Sequence, residues 1–220
     1  MHRYRVRRLI GLVIILLVMA VPIAAQTLSP ITPSSTGQSQ QAKQALADLA
    51  KLEVKGRAAK TGYTRAQYGD GWQDILGCDM RNIILRRDMK DVRLSTTCKV
   101  LSGTLHDPYT GKIIAFSRGA DTSDDVQIDH VVALSDSWQK GAKALTFSRR
   151  VALANDPLEL LAVDGRANQD KMDSDAASWL PPNKAFRCQY VARQIAVKLK
   201  YSLWVTSAEM SAMRNVLAQC

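Results

Sequence analysis

Two short apolar segments followed by a helix-forming segment constrain the fold of this chain more than any other feature. The run DVQIDHVVAL (125–134) is strand-like, with Asp129 and His130 at its centre. A second strand-like run, LELLAV (158–163), precedes NQDK, which begins at Asn168 and opens a helix. Strand, connection, strand and helix in this order predict a compact unit that brings Asp129, His130 and Asn168 together.

These three side chains suit one kind of chemistry. Asp129 and Asn168 offer hard oxygen ligands, which favour Mg²⁺ over zinc. His130 would then be free to take a proton from water near neutral pH. A metal ion would stabilise charge on a phosphate and on the departing oxygen, so the pattern predicts phosphodiester hydrolysis. Taken singly the residues are weak signals, because a strand histidine is more often structural and a helix-opening asparagine is equally often an N-cap.

The rest of the chain alternates strand and helix patterns. Residues 99–105 and 113–116 flank the turn segment HDPYTGK and predict two strands. Residues 82–92 predict a helix, and Thr206 with Glu209 three positions later forms a capping box that begins the last helix. The mixture indicates the α+β class. Further helices are predicted in DSWQKGAK, FSRRVALAND, NQDKMDSDAASWL and KAFRCQYVARQIAVKLKY.

The N-terminus has the pattern of a secretory signal. MHRYRVRR is basic, LIGLVIILLVMAVPIAA is apolar, and Ala24 and Ala25 end the segment. We therefore expect residues 1–25 to be a signal peptide, the mature protein to be secreted, and no stable membrane insertion after cleavage. Leu9–Val21 is short for a membrane span. An uncleaved membrane anchor is the alternative, since Ile23 is not the small residue expected three positions before the cut.

Residues 26–60 predict a linker with one short helix, and residues 61–220 a single domain. The linker opens with QTLSPITPSSTGQSQ, which has little to bury. QAKQALADLAKLEVKG follows, with Ala45, Leu46 and Leu49 at helical spacing. The chain is 46% hydrophobic and 23% charged, which excludes global disorder.

The four cysteines and the basic net charge predict disulfides and a polyanionic partner. An even number of cysteines in an exported chain predicts two disulfides, and of three possible pairings the nearest-neighbour one, Cys78–Cys98 with Cys188–Cys220, is favoured. Zinc binding is disfavoured because no C-x-x-C spacing occurs. The formal net charge is +10, and +6 without the four arginines of the signal, which suits a polyanionic partner.

The chain resembles the HNH, or His-Me finger, nucleases. More closely, it is similar to secreted bacterial proteins with the HNH domain that also occurs at the C-terminus of GmrSD-type restriction enzymes. The similarity extends from about Gly62 to Cys220. The shared segments are GCDMRNIILRRD, DPYTGK, IDHVVAL, W-x-x-GA from Trp138, ANDPLELLAV, N-x-x-K-x-D-x-D from Asn168, WLPP and CQYVARQIAVKLKY.

The resemblance implies a ββα-metal (HNH) finger embedded in a mostly helical, disulfide-stabilised α+β domain. It implies a metal-dependent endonuclease with His130 as general base and Asp129 as a metal ligand. Asn168 occupies the third HNH position and is expected to be a second ligand. The metal is expected to be Mg²⁺, with Mn²⁺ as an alternative. The substrate is expected to be DNA rather than RNA, cut without sequence preference by a monomer.

One position departs from the family pattern, and two basic residues complete the predicted site. The family commonly has asparagine where this chain has Glu159, and that residue orients the histidine. Glu159 could accept a hydrogen bond from the imidazole, or Asn155 could take the role. Arg81 and Lys171 are candidate contacts to the nucleic-acid backbone. For Arg81, a structural salt bridge or a solvated side chain is the alternative.

Two other functions are compatible with the sequence. The first is an exported binding module for nucleic acid or the cell surface that has lost activity, an interpretation that Glu159 keeps open. The second is a metal-dependent phosphodiesterase acting on a small substrate, which the basic charge and the resemblance disfavour.

Overall fold

The computed structural model describes residues 35–120 and 122–220, and the signal peptide expected at 1–25 lies outside them. The described part forms one compact unit. It contains seven α-helices, α1 Ser35–Leu49, α2 Met80–Asp88, α3 Leu134–Gln139, α4 Phe147–Ala154, α5 Gly165–Lys171, α6 Arg187–Lys200 and α7 Ser207–Leu217. It also contains seven strands, β1 Asp74–Ile75, β2 Cys78–Asp79, β3 Met89–Leu94, β4 Val100–His106, β5 Ile113–Ser117, β6 Val126–His130 and β7 Leu160–Asp164.

Three small antiparallel sheets account for the strands. β1 pairs with β2, β3–β4–β5 form a meander, and β6 pairs with β7. The meander, α2 and the inner face of β6–β7 enclose one hydrophobic cluster that includes Ile84, Leu105 and Phe116. Burial of these side chains against one another holds the meander to the β6–β7 strand pair. The α+β class and the two strands around HDPYTGK are therefore confirmed.

A larger cluster lies among the helices. α1, α6 and α7 pack together, and the cluster includes Leu49, Val191 and Met213, all nearly inaccessible to solvent. The short helix expected within a linker is thus part of the compact unit, because its apolar stripe is buried against α6 and α7. No helix in the described ranges combines the length and apolar character needed to cross a membrane.

The strand–strand–helix unit is present. β6 and β7 pair with Asp129 opposite Leu161 and His130 opposite Leu160, and α5 packs on both strands. The helix begins earlier than the sequence predicts, because Asp164 is its N-cap and accepts a hydrogen bond from the backbone N–H of Ala167. Asn168 therefore lies inside α5 rather than at its start.

The first residue of α5 requires glycine. A Cβ on Gly165 would lie 1.9 Å from the carbonyl oxygen of Asp124, so the turn from β7 into α5 has no space for a side chain. α5 also ends earlier than predicted, at Lys171. It stops there because Met172 has a backbone φ of 51°, outside the helical range.

Two further helices can be compared with their predictions from sequence. The helix predicted for 82–92 ends at Asp88, and the chain continues as β3, in which Asp91 has a φ of 52°. The N-cap at Thr206 is confirmed, since Thr206 Oγ1 accepts a hydrogen bond from the backbone N–H of Glu209. The carboxylate of Glu209 pairs with Lys140 and Lys198 rather than completing a capping box.

Two disulfides and a buried ionic cluster stabilise the unit. The disulfides are Cys78–Cys98 and Cys188–Cys220, as expected from nearest-neighbour pairing.

The ionic cluster centres on Lys140, whose Nζ lies 2.7–2.8 Å from carboxylate oxygens of three acids. Each charge inside the cluster has an opposite charge beside it, which makes its burial tolerable. The acids are Asp136, Asp175 and Glu209, and the last is also 3.0 Å from Lys198.

Candidate active site

His130 is the last residue of β6, and its ring is held on two sides. Nε2 lies 3.0 Å from the carbonyl oxygen of Ala154, the last residue of α4. The ring also stacks on the indole of Trp72, with centroids 5.7 Å apart and planes inclined by 6°. A hydrogen bond and a parallel stack together define the orientation of the imidazole.

The surroundings of His130 keep it neutral. Burial and the nearby charge of Arg65 lower its pKa from 6.5 to about 3, although the bond to Ala154 opposes the shift. A carbonyl oxygen can only accept, so Nε2 carries the proton of the neutral ring. Nδ1 therefore carries a lone pair at neutral pH and can accept a proton.

His130 lines two adjoining cavities. The larger has a volume of about 510 Å³ and a mostly polar wall, and the smaller, about 150 Å³, is lined by Tyr68 and Gly71 among others. Two arginines, Arg65 and Arg81, give the larger cavity positive charge. The other residues of its wall include Tyr63, Trp72, Gln127, Asp129, Asn168 and Met172.

Asp129 lies beside His130 in sequence, but its carboxylate is already engaged. Oδ1 is 2.9 Å from Nζ of Lys171, and Oδ2 accepts a short hydrogen bond from the hydroxyl of Tyr109. The residue is 5% exposed. Asp129 thus has a positive partner within the protein before any ligand arrives.

Lys171 does not have the role expected for it. The residue is fully buried, and its Nζ donates to Asp129 Oδ1 and to the carbonyl oxygen of His130, each at 2.9 Å. A lysine in this position cannot reach a nucleic-acid backbone. The predicted phosphate contact of Lys171 is therefore replaced by an internal ion pair that links α5 to the end of β6.

Asn168 lies on the wall of the larger cavity. Its Nδ2 donates to Oε1 of Gln127 at 2.9 Å, which orients the amide on the β6 side of α5. Asp129, Asn168 and Gln127 thus bring one carboxylate and two amide groups to the same wall. Among the residues that the structure describes, no group of three or more His, Cys, Asp or Glu is placed to hold a metal. The donors fit Mg²⁺ in kind, since that ion binds through few protein oxygens and retains water.

Glu159 lies in the core rather than beside the imidazole. Its Oε2 accepts from the backbone N–H of Val132 at 3.2 Å, and its backbone carbonyl accepts from Val131. Oε1 has no hydrogen-bond partner in the described ranges. Burial raises the pKa of Glu159 well above its ordinary value.

The backbone of Ala154, rather than the side chain of Glu159 or Asn155, forms the hydrogen bond to the imidazole of His130. The carbonyl of Ala154 holds His130, and Oδ1 of Asn155 accepts from the backbone N–H of Gln73 at 2.8 Å. That second bond secures the residue next to Trp72. One helix end therefore positions both the histidine and the aromatic ring that covers it.

Arg81 remains available at the cavity. One of its terminal nitrogens donates to the carbonyl oxygens of Ser123 and Val126, both at 3.1 Å, and the residue lines the same wall as His130. Burial is the main cause that lowers the pKa of its guanidinium. These bonds leave other N–H groups of Arg81 to contact a ligand.

Some residues of the site could not be assigned from sequence. Arg65, Trp72 and Tyr109 come from three separate segments, and none of them lies in the strand–strand–helix unit. The sequence signal for Trp72 is an aromatic residue inside the glycine-rich segment GDGWQD. Tyr109 lies within the turn segment DPYTGK, a shared motif of the resemblance that carried no assigned role.

The fold and the site together define an α+β domain with a buried histidine on the wall of a polar cavity that two arginines line. The chain belongs to the family described as GmrSD restriction endonucleases, C-terminal domain, whose model matches residues 79–216. It is also similar to a protein of Arthroderma benhamiae (strain ATCC MYA-4681 / CBS 112371) described as an uncharacterized secreted protein. The two are 37% identical over 206 residues, which cover 92% of this chain and 94% of the relative. No solved structure matches the chain.

Proposed function

We propose that the protein is a secreted, metal-dependent endonuclease that hydrolyses phosphodiester bonds of DNA. The observation that carries the proposal is the neutral, oriented His130 on the wall of a cavity that also contains Arg65 and Arg81. A proton acceptor and two cations in one polar cavity suit an anionic substrate attacked by water. Membership of the GmrSD C-terminal family supports the same reaction class.

In the proposed mechanism, Nδ1 of His130 takes a proton from the attacking water. The positive charge that develops on the ring is stabilised through Nε2–H by the carbonyl of Ala154. A pKa of about 3 makes His130 a weak base in the free protein. A bound phosphodiester would raise the pKa, because a nearby negative charge favours the imidazolium.

Arg65 and Arg81 bind the phosphate. Arg65 is exposed at the cavity, whereas Arg81 is held in place by its two bonds to backbone carbonyls. A guanidinium fixed in this way can present its remaining N–H groups to phosphate oxygens with little loss of entropy.

Asn168 and Asp129 are the residues proposed to hold the divalent metal, Mg²⁺ or alternatively Mn²⁺. When bound, the ion supplies stabilisation of charge on the phosphate and the leaving oxygen. Lys171 would keep Asp129 oriented through its bond to Oδ1. Gln127 would orient Asn168 through the amide–amide bond.

The proposed partner is nucleic acid, with DNA favoured over RNA, and the proposed site of action is outside the cell. The basic charge favours a polyanion, and the similarity to a relative described as secreted supports export. Cutting is proposed to be non-specific, by a monomer that its disulfides stabilise.

The test is plasmid cleavage by the mature protein with Mg²⁺ or Mn²⁺, with and without EDTA. Replacing His130 with alanine is expected to lower the rate by about 10²–10⁴-fold, as is typical of a lost general base. The matched control is His106→Ala, because His106 is exposed at the end of β4. Equal cutting by the His130 variant would remove the assignment of the base.

A second candidate function is an exported module that binds nucleic acid without cutting it. The engagement of Asp129 by Lys171 and Tyr109 favours it, because a metal must share that carboxylate with two existing partners. DNA retention in a gel-shift assay, without cleavage under several divalent metals, would establish this alternative and exclude the endonuclease.

A further inference from the structure

Met172 has a backbone conformation that ordinarily belongs to glycine. It follows the last residue of α5 with φ 51° and ψ −124°. These angles resemble the first central position of a type II′ turn, which glycine dominates because a Cβ there clashes with the backbone. A methionine at this position is strained, and residues held in such conformations cluster at functional sites.

The Met172 side chain is exposed where the predicted chemistry takes place. It is 74% exposed, and the residue lines the same polar cavity as His130, Arg65 and Asn168. Solvent exposure means that the thioether covers little apolar surface of the protein itself. The chain therefore combines backbone strain and an exposed apolar group at one point on the cavity wall.

Leu76 shows that backbone strain and an exposed apolar side chain do not by themselves indicate a functional site. Leu76, at the turn between β1 and β2, has a φ of 55° and is fully exposed. It lies outside both cavities that His130 lines. Location on the cavity wall is thus what distinguishes Met172 from Leu76.

We propose that Met172 contacts substrate and packs against the nucleobase next to the scissile phosphate. This inference rests on the proposed function. In a nucleic acid that places a phosphate between Arg65 and Arg81, the adjacent base provides an apolar face close to the cavity wall. Methionine is flexible and polarizable, and apolar side chains of this kind insert against bases in other nucleic-acid complexes. The contact would offset the strain only when substrate is bound.

The test compares two single-stranded 20-mers, oligothymidylate and a strand of abasic tetrahydrofuran units, which have the same phosphodiester backbone. Met172→Gly removes both the thioether and the strain, Met172→Leu keeps an apolar side chain, and Leu76→Gly is the matched control. Steady-state kinetics give KM and kcat for each pair, and thermal unfolding gives Tm.

For Met172→Gly we expect KM on oligothymidylate to rise about tenfold, the order of one lost base contact. On the abasic strand its KM should equal that of the wild type. Tm should be no lower than for the wild type, because glycine adopts this conformation without a clash. Met172→Leu and Leu76→Gly should keep the wild-type KM on both strands.

The outcomes separate the two proposals. If the wild type cuts neither plasmid DNA nor either strand with any divalent metal, the proposed function fails and this inference fails with it. If it cuts plasmid DNA but neither strand, the endonuclease stands and this inference is overturned. If the wild type cuts oligothymidylate and Met172→Gly keeps its KM, the endonuclease stands and the base contact is overturned. An equal rise of KM on both strands would also overturn it, because the effect would not depend on the base.

Discussion

The imidazole of His130 lies almost parallel to the indole of Trp72, with ring centroids 5.7 Å apart and planes inclined by 6°. The two residues are brought together by one helix end, where Ala154 accepts from His130 and Asn155 accepts from the backbone N–H of Gln73. Trp72 thereby covers one face of the ring and contributes to the burial that lowers the pKa of His130 to about 3.

Removing the indole should change the pH dependence of the proposed reaction. In Trp72→Ala water reaches the face of the imidazole, so the pKa of His130 should rise towards 6.5. The acidic limb of the kcat/KM profile should then move to higher pH, whereas Trp72→Phe should keep the wild-type profile. The wild-type limb lies below pH 4, so in profiles measured from pH 4 to 9 an acidic limb should appear only for Trp72→Ala. A profile of Trp72→Ala without an acidic limb in this range would show that Trp72 does not influence the titration.

Glu159 and Asn155, the two residues predicted to orient His130, can be separated by substitution. Asn155→Ala should lower kcat/KM about tenfold, because the bond that secures the segment next to Trp72 is lost. Glu159→Gln should keep kcat/KM within about twofold of wild type, since its Oε2 contacts Val132 rather than the imidazole. Rates on plasmid DNA measure both, and the reverse ranking would assign the orienting role to Glu159.

The titration of His130 should also appear in stability. Its pKa is about 3 in the folded chain and about 6.5 when unfolded, so between these values the unfolded chain binds the extra proton. The contribution of His130 to the free energy of unfolding should therefore fall as pH decreases below 6.5, by about 2 kcal/mol between pH 6.5 and 5. Glu159 acts in the opposite direction, because its pKa is raised in the folded chain.

The contribution of His130 is isolated as the difference between wild type and His130→Gln in urea unfolding at each pH. This difference should change by about 2 kcal/mol over the interval. His106→Gln is the control, because His106 is exposed and should give a constant difference. A pH-independent difference for His130→Gln would mean that its pKa is ordinary in the folded chain.

Local patterns in the sequence were sufficient to predict much of the unit around the site. Strand β6, strand β7 and a following helix are all present, because short β-branched runs and turn residues determine them locally. The pairing of Cys188 with Cys220 and the cap at Thr206 were predicted on the same local basis.

Contacts between distant segments could not be predicted from local sequence patterns. Trp72 is 58 positions from His130, and Tyr109 is 20 positions from Asp129, so no spacing rule connects them. The orientation of Lys171 is an example of what local patterns do not determine. The sequence placed it on the same helix as Asn168, but only the packing of α5 against β6 shows that it faces inward.

The Lys171–Asp129 pair should contribute to stability as a unit. Lys171→Met leaves a buried carboxylate without its cation and should lower the free energy of unfolding by about 3–5 kcal/mol. Adding Asp129→Asn removes the uncompensated charge, so the double variant should be more stable than Lys171→Met alone. Urea unfolding at pH 7 measures Lys171→Met, Asp129→Asn and the double variant, with the exposed Lys143→Met as control, expected within about 0.5 kcal/mol of wild type. Additive losses in the double variant would show that the two charges do not interact.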